Sequence, residues 1–440
     1  MFQRLLGLWD DLRSGLWFIP GLLASLAVVM AWTVLRLDRW AADSDVGELA
    51  WAFSGGADSA RQILATIAGS MVTVAGVTFS VTVVALTLAA GQYSPRILGN
   101  FMRDRFNQLV LGAFIGTFVY SLLVLRSIRG GDEAYVPAVG VTVAIILAIA
   151  SLGLLILFIH HIAVSIQVSS MIQSVHGETS AELDAVFGRS ATAVGPAWIR
   201  TEILPVPQGF RIHAGADGYV QRVDTEAIVE AAEAGDVTVE MLVGPGDFSA
   251  RGTPLAVADR EPVDPDALVG GVRGACLVGR QRTIPQDPAF GFRQLVDIAV
   301  KALSPGINDP TTAANCVDAL TSLLASLADR DWPSTDFEGE DGVIRLHMPH
   351  ATFGDYLALA FTEIRRYART DLAVTLAVLE GLGRVATTTR RPDRREALWR
   401  EARAVMAGAT ETIRHPDDLA RLEAQFRRVA AELGRTPSST

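Results

Sequence analysis

Four long stretches of the sequence contain no Asp, Glu, Lys or Arg, and they constrain the fold more than any other feature. They cover residues 16–35, 63–90, 106–125 and 136–162. A helix needs about 20 apolar residues to cross a bilayer core of about 30 Å. Hydrocarbon offers no partner to free backbone groups, so such segments must be helical. The sequence therefore predicts a bundle of four transmembrane helices over residues 1–165.

The remainder of the chain has the charge content of a soluble protein and predicts an α+β region. Residues 166–208 read as a membrane-proximal helix followed by a proline-rich linker. Residues 209–262 alternate apolar and polar positions between glycine turns, which predicts a small β-barrel-like module. Residues 263–434 predict a mainly helical domain, and residues 435–440 a disordered tail.

Aspartate followed by proline marks two predicted helix starts. Asp287 and Asp309 each precede a proline, a pairing typical of an N-cap and the first helical position. They predict helices over residues 290–303 and 311–328. Thr352 and Asp355 predict a capping box for a helix over residues 353–371. Two further helices, 372–385 and 394–433, are expected after it.

Composition excludes several classes of function. The net charge is −10 and the sequence pI is about 5.3, which argues against nucleic acid as a partner. Lys301 is the only lysine, and the two cysteines, Cys276 and Cys316, are too few for a disulfide framework. The Walker A, nucleophile-elbow and H-E-x-x-H motifs do not occur. We therefore expect no cofactor, no metal site and no catalytic residues.

Membrane orientation is not decided by arginine counts. Five arginines flank the spans on each side, so the positive-inside rule gives a tie. No export signal is evident, and a four-span chain with its N-terminus inside need not translocate its large C-terminal region. These arguments favour a multi-pass protein of the cell membrane with a cytoplasmic C-terminal region.

The second stretch carries hydroxyl side chains at a seven-residue spacing. Seven residues are close to two helical turns, so such side chains share one face of a helix. Thr66, Thr73, Ser80 and Thr87 recur at this spacing, and Ser70 joins them on the same face to complete the stripe. Two interpretations stay open: a pore lining, because hydroxyls suit a wet pathway, or close helix packing, the commoner use of small polar residues in membranes.

Other candidate residues lie at the ends and contacts of the spans. Gly112 and Gly116 form a G-x-x-x-G motif, which predicts close approach of a neighbouring helix. Basic residues at one membrane surface favour lipid-headgroup contact or, alternatively, an anion vestibule. They are Arg96, Arg103 and Arg105.

The remaining polar candidates give weaker indications. Asn308 and Asp309 could form a ligand loop for a cation or small ligand, although an N-cap explains Asp309 better. His160 and His161 end the fourth stretch, but adjacent helical residues diverge by about 100° and make a poor metal pair. His347 and His350 lack a third ligand nearby in the sequence.

Several separated motifs resemble one known family. The segment 79–127 is followed in order by GYVQRVD, PGDFSARGTPLA and FGFRQLVDIAVKALSPGINDPTTA. Together they resemble the uncharacterised bacterial family of predicted membrane proteins called domain of unknown function 2254. The resemblance covers roughly residues 15–420 and implies a membrane region plus a cytosolic region, without an activity. GYVQRVD and GDFSARGTPL also resemble weakly a barrel-sandwich carrier module, but no modified lysine is available there.

The sequence favours a non-enzymatic membrane protein. The main hypothesis is an oligomeric channel-like or transport component for an ion or small solute, with a cytosolic assembly or gating domain. The expected partners are the lipid bilayer and other copies of the chain. The alternative is a membrane-anchored scaffold or sensor whose cytosolic helices bind a protein.

Overall fold

The computed structural model describes residues 17–43, 53–92, 104–129, 135–165, 167–188, 209–348 and 350–436. The chain divides into two compact units. The membrane unit comprises Met1–Gln167 and the C-terminal unit comprises Val168–Thr440. Residues 437–440 of the predicted disordered tail and most of the predicted linker lie outside the described residues.

The membrane unit contains four helices that are long and apolar enough to cross a bilayer. Each matches one of the uncharged stretches and extends beyond it, because hydrogen bonding continues past the apolar segment. They are α1 (Phe18–Asp43), α2 (Ala57–Gln92), α3 (Arg105–Ser127) and α4 (Ala138–Ser165).

Helix α3 is the central helix of this unit. Half of its spanning window is buried, against 17% in each of the other three helices. Its central position follows from its small residues. A Cβ on Gly112 would lie 2.6 Å from Leu23 Cδ1, and one on Gly116 would lie 3.4 Å from the Leu23 carbonyl oxygen. Without these side chains α1 runs parallel to α3 in close contact, since van der Waals packing is what holds helices together in lipid.

The C-terminal unit combines eight strands with nine helices among its described residues. The strands are β1 (Phe210–His213), β2 (Gly218–Val223), β3 (Val239–Met241), β4 (Phe248–Ser249), β5 (Pro254–Ala258), β6 (Cys276–Gly279), β7 (Asp336–Glu338) and β8 (Ile344–His347). The helices are α5 (Val168–Gly188), α6 (Thr225–Ala234), α7 (Pro265–Ala275), α8 (Pro288–Ala302), α9 (Pro310–Leu327), α10 (Phe353–Ala368), α11 (Leu372–Thr388), α12 (Pro392–Thr412) and α13 (Pro416–Glu432).

The strands form two sheets, and the predicted β-barrel-like module is not observed. One sheet has the order β1-β5-β3-β8-β7 and the other β4-β2-β6. Strand β3 pairs in parallel with β8, and the other paired strands are antiparallel. Strands β7 and β8 are supplied from beyond residue 262. Residues 209–262 therefore complete their sheet with chain that follows two long helices.

Helix α5 packs into the C-terminal unit against α8 and α9. A Cβ on Gly291 of α8 would lie only 1.8 Å from Thr179 Oγ1 of α5, so the two helices touch at backbone distance. The Glu182 carboxylate accepts a hydrogen bond from the Gln286 N–H at 2.8 Å. Arg330 donates to the Leu183 carbonyl and forms an ion pair with Asp184. These contacts fix α5 to α8, to the turn that precedes α8 and to the chain that follows α9.

Aspartate-proline pairs start three helices of this unit. Asp264, Asp287 and Asp309 each accept a backbone N–H from the first turn of α7, α8 and α9. The predicted starts of α8 and α9 are thus confirmed, and the capping box of Thr352 and Asp355 is present on α10.

The prediction of one helix over residues 394–433 is wrong. Two helices, α12 and α13, meet at residues 413–415. Pro416 causes the break because its ring disfavours helical backbone at the preceding residue, and it occupies the first turn of α13, where its missing N–H costs nothing.

Candidate functional site

The predicted hydroxyl face of α2 lies on the outside of the membrane unit. All five residues, Thr66, Ser70, Thr73, Ser80 and Thr87, are exposed. The buried side of α2 is the opposite one, where Leu64, Ala68 and Met71 face the other helices. Gly69 and Gly76 flank the hydroxyls, and a Cβ at either glycine would have no atom within 4 Å. The stripe therefore faces away from the other described helices of the membrane unit.

Three of these hydroxyls are bonded within α2 itself. Thr66, Thr73 and Thr87 donate to the carbonyls of Gln62, Gly69 and Val83 at 2.7–3.0 Å. Donation to the preceding turn satisfies the hydroxyl hydrogen without a partner outside the helix. The oxygen lone pairs stay directed outward, where they can accept a hydrogen bond or coordinate a cation.

Of the other membrane residues predicted from sequence, the described ones lie at ordinary structural positions. Gly112 and Gly116 contact α1 of the same chain. Arg105 is the first residue of α3 and is exposed. Arg96 and Arg103 lie outside the described residues. Their headgroup or vestibule role stays a prediction.

A buried carboxylate that the sequence reasoning missed holds the start of α4. Asp38 of α1 is 7% exposed and accepts the backbone N–H groups of Val139 and Gly140 at 3.0 and 2.8 Å. Tyr120 of α3 donates its hydroxyl to the Gly140 carbonyl at 3.2 Å. The N-terminus of a helix carries partial positive charge and unpaired donors, so it suits a carboxylate. Asp38 thereby joins α1 to α4.

A second polar cluster lies at the other end of α4. Asp104 caps α3 by accepting the Phe106 N–H, and its other oxygen lies 2.5 Å from His161 Nε2. Ser165 contacts the same imidazole nitrogen at 3.3 Å, and the Phe106 ring packs on the histidine with centroids 4.6 Å apart. The sequence placed Asp104 and His161 near span ends, but only helix packing brings them together.

The polar candidates of the C-terminal unit have structural partners. Asp309 caps α9 through the Thr312 N–H and hydroxyl, and these hydrogen bonds lower the pKa of its carboxyl. Asn308 is exposed with a φ of 49°; a ligand role for this loop stays a prediction. His347 Nδ1 lies 2.5 Å from Asp336 Oδ1, and His350 Nε2 lies 2.8 Å from the Pro333 carbonyl oxygen. Within the described ranges, no group of three or more His, Cys, Asp or Glu side chains could hold a metal.

The most strongly perturbed acid of the C-terminal unit is Asp287. It is 1% exposed, and burial raises the pKa of its carboxyl to about 7 although Arg282 opposes this shift with two hydrogen bonds at 2.8 and 2.9 Å. A Cβ on Gly246 would lie 2.4 Å from the same carboxylate. Gly246 has a φ of 92°, so both its conformation and its space require glycine. Gly246 belongs to the segment PGDFSARGTPLA, and the N–H of Phe290, the first residue of FGFRQLVDIAVKALSPGINDPTTA, donates to Asp287 at 3.1 Å, so two of the segments that carry the family resemblance contact this ion pair.

Comparison with known proteins now places the chain. The family described as "Predicted membrane protein (DUF2254)" matches residues 13–384. The chain belongs to this family. The four membrane helices agree with that description, and the protein is a membrane protein.

Relatives are found in mycobacteria. One uncharacterized protein of Mycobacterium bovis and two of Mycobacterium tuberculosis are each 32% identical over 458 aligned residues. The alignments cover 98% of this chain and 87% of each relative. No solved structure matches the chain significantly.

Proposed function

We propose that this family member acts as an oligomer in the membrane, in which the α2 faces of several copies meet and line a pathway for an ion or small polar solute. The observation that carries the proposal is the position of the hydroxyl stripe. It lies on the exposed side of α2, opposite the buried side. A second copy could reach it without any rearrangement of the bundle.

The chemistry of the stripe suits such a pathway. Hydroxyl oxygens replace part of the hydration shell of a cation, as the polar linings of channels do. The bonds from Thr66, Thr73 and Thr87 to their own helix fix the side-chain rotamers. Gly69 and Gly76 leave space for a neighbouring helix to approach the backbone closely.

One observation favours the alternative, a membrane-anchored scaffold or sensor. Because three of the hydroxyl hydrogens are already bonded within α2, the face does not require water. It could contact lipid or a sister helix without conducting. In that case the C-terminal unit would carry the function by binding a protein partner.

Conductance after reconstitution tests the pathway. The purified chain in planar bilayers is expected to give discrete single-channel currents that Ser80→Leu reduces by about tenfold or more, because leucine removes an oxygen and narrows the lining. Val72→Leu is the matched control. Val72 is also exposed but lies about 80° around the helix from Ser80, so the currents of this variant should equal those of the wild type.

Cross-linking separates oligomerisation from conduction. Ser70→Cys should form a disulfide dimer under mild oxidation in membranes, while Val72→Cys should not. Both native cysteines are buried and do not compete. Cross-linking with silent bilayers would favour the scaffold. Silent bilayers without cross-linking would exclude both the oligomer and its pathway.

A further inference from the structure

An open groove crosses the surface of the C-terminal unit between α8 and α10. Its volume is 640 Å³, which is within the range that holds a small organic ligand. The lining residues are Arg293, Ala358, Leu359, Thr362, Glu363, Arg366, Tyr367 and Arg369.

Three of the eight residues that line this groove are arginines. Arg293 donates hydrogen bonds to the Asp297 carboxylate at 2.9 Å and to both oxygens of Glu363 at 2.5 and 3.3 Å. These two acids and three lining arginines leave a net charge of +1, on a chain whose net charge is −10. A local positive potential on an acidic protein attracts anions selectively.

Two of the arginines are available to a ligand. Arg366 and Arg369 are exposed, and neither forms an ion pair within the part of the chain that the structure describes. Their neighbour Arg365 differs, because it points to Glu401 at 3.0 Å. The backbone of Arg369 is fixed by a hydrogen bond from Thr412 to its carbonyl oxygen.

We infer that this groove binds a small phosphate-bearing molecule, with the phosphate held by Arg366 and Arg369. The planar fork of a guanidinium matches phosphate oxygens in pairs. Beside these two arginines in the sequence, Tyr367 is 53% exposed, and the apolar side chains of Ala358 and Leu359 also line the groove. The apolar or planar part of the ligand lies there. This site does not depend on the proposed conduction pathway.

Two sources could supply that chemistry, a soluble phosphate monoester or diphosphate, or the phosphodiester headgroup of a lipid. Calorimetric titration of the full chain in an uncharged detergent distinguishes them. The probes are adenosine monophosphate, inorganic pyrophosphate and glycerophosphoglycerol, a water-soluble lipid headgroup. Tighter binding of adenosine monophosphate or pyrophosphate assigns the soluble source, and tighter binding of glycerophosphoglycerol assigns the lipid.

Variants test whether binding occurs in the groove. The double variant Arg366→Gln/Arg369→Gln should weaken the preferred probe at least about tenfold. The double variant Arg366→Lys/Arg369→Lys keeps the positive charge but loses the planar guanidinium fork. Its affinity for the probe should therefore lie between that of the wild type and that of the double glutamine variant. The control Arg421→Gln/Arg427→Gln removes two exposed charges from α13, outside the groove, and should bind as the wild type does. Absence of binding for all three probes, or an equal loss in the control, would overturn the inference.

Discussion

Single carboxylates in the membrane unit show how an acid is accommodated among apolar helices. Asp38 and Asp104 both interact with helix α4, one with its N-terminal N–H groups and the other with His161. Polar groups that are removed from water are costly unless each finds a partner. At these residues the partner comes from another helix, so the same hydrogen bonds that offset the cost of burial also join two helices.

The contact made by Asp38 should be measurable as stability. Asp38→Ala leaves the N–H groups of Val139 and Gly140 without their acceptor, and we expect a loss of about 2 kcal/mol. Thermal unfolding of the full chain in detergent measures it. Asp58→Ala is the control, because the Asp58 side chain is 98% exposed and its ion pair with Arg61 is a surface pair of little energetic value. Equal shifts in the two variants would contradict the role assigned to Asp38.

Asp287 should give the C-terminal unit a distinctive pH dependence. Burial raises the pKa of its carboxyl to about 7, so the folded state favours the protonated form. This group therefore contributes most stability below its ordinary pKa near 4, and that contribution is lost as the pH rises through 7.

Replacing Asp287 by Asn removes that titration and keeps a residue able to cap α8. The difference in unfolding free energy between wild type and Asp287→Asn should change by up to about 1.4 kcal/mol per pH unit between pH 5 and 7. Urea unfolding at several pH values tests this. A constant difference across that range would show that Asp287 does not titrate there.

At the scale of elements, one glycine decides how α5 sits on α8. Gly291→Ala places a methyl group 1.8 Å from Thr179 Oγ1, so the helices must separate. Overpacking of this kind costs about 1–3 kcal/mol. Gly408→Ala in α12 is the matched control, since a Cβ there meets no atom within 4 Å and alanine favours the helix. Urea unfolding should show a loss for the first variant and none for the second.

The sequence predicts elements well where the signal is local. Asp287 with Pro288 and Asp309 with Pro310 start helices where expected, and the capping box of Thr352 and Asp355 starts α10. Pro416 is also a local signal, but helical periodicity on both sides of it favoured one continuous helix over residues 394–433, and the structure has two. The membership of each sheet was not predictable, because β3 pairs with β8, and nothing in either short strand names its partner.

The same division holds for the candidate sites. The hydroxyl face could be predicted because periodicity within α2 alone defines it. The pairing of Asp104 with His161 depends on how α3 packs against α4, and the cation-lined groove depends on the contact between α8 and α10. Such sites are products of tertiary structure, and no spacing within one segment encodes them.

At the scale of the whole molecule, the number of spans determines on which membrane surface each connecting segment lies. With four crossings, the first residues of α2 lie on the opposite membrane surface from the C-terminal unit. The side on which the C-terminal unit is labelled therefore predicts the side on which the start of α2 is labelled. The two native cysteines make this measurement feasible: both are buried, and burial raises the pKa of the Cys276 thiol to about 12 and that of Cys316 further. Folded wild-type protein should not react with a maleimide, because the thiolate is the reactive form.

Single cysteines then report the side of the membrane. Glu423 on α13 and Asp58 at the start of α2 are both exposed. If the C-terminal unit is cytoplasmic, a membrane-impermeant maleimide should label Glu423→Cys only in inside-out vesicles and Asp58→Cys only in right-side-out vesicles. The reverse pattern would place the C-terminal unit outside. Labelling of both residues from one side would contradict four crossings, because three spans, an odd number, separate Asp58 from Glu423 and must place them on opposite surfaces.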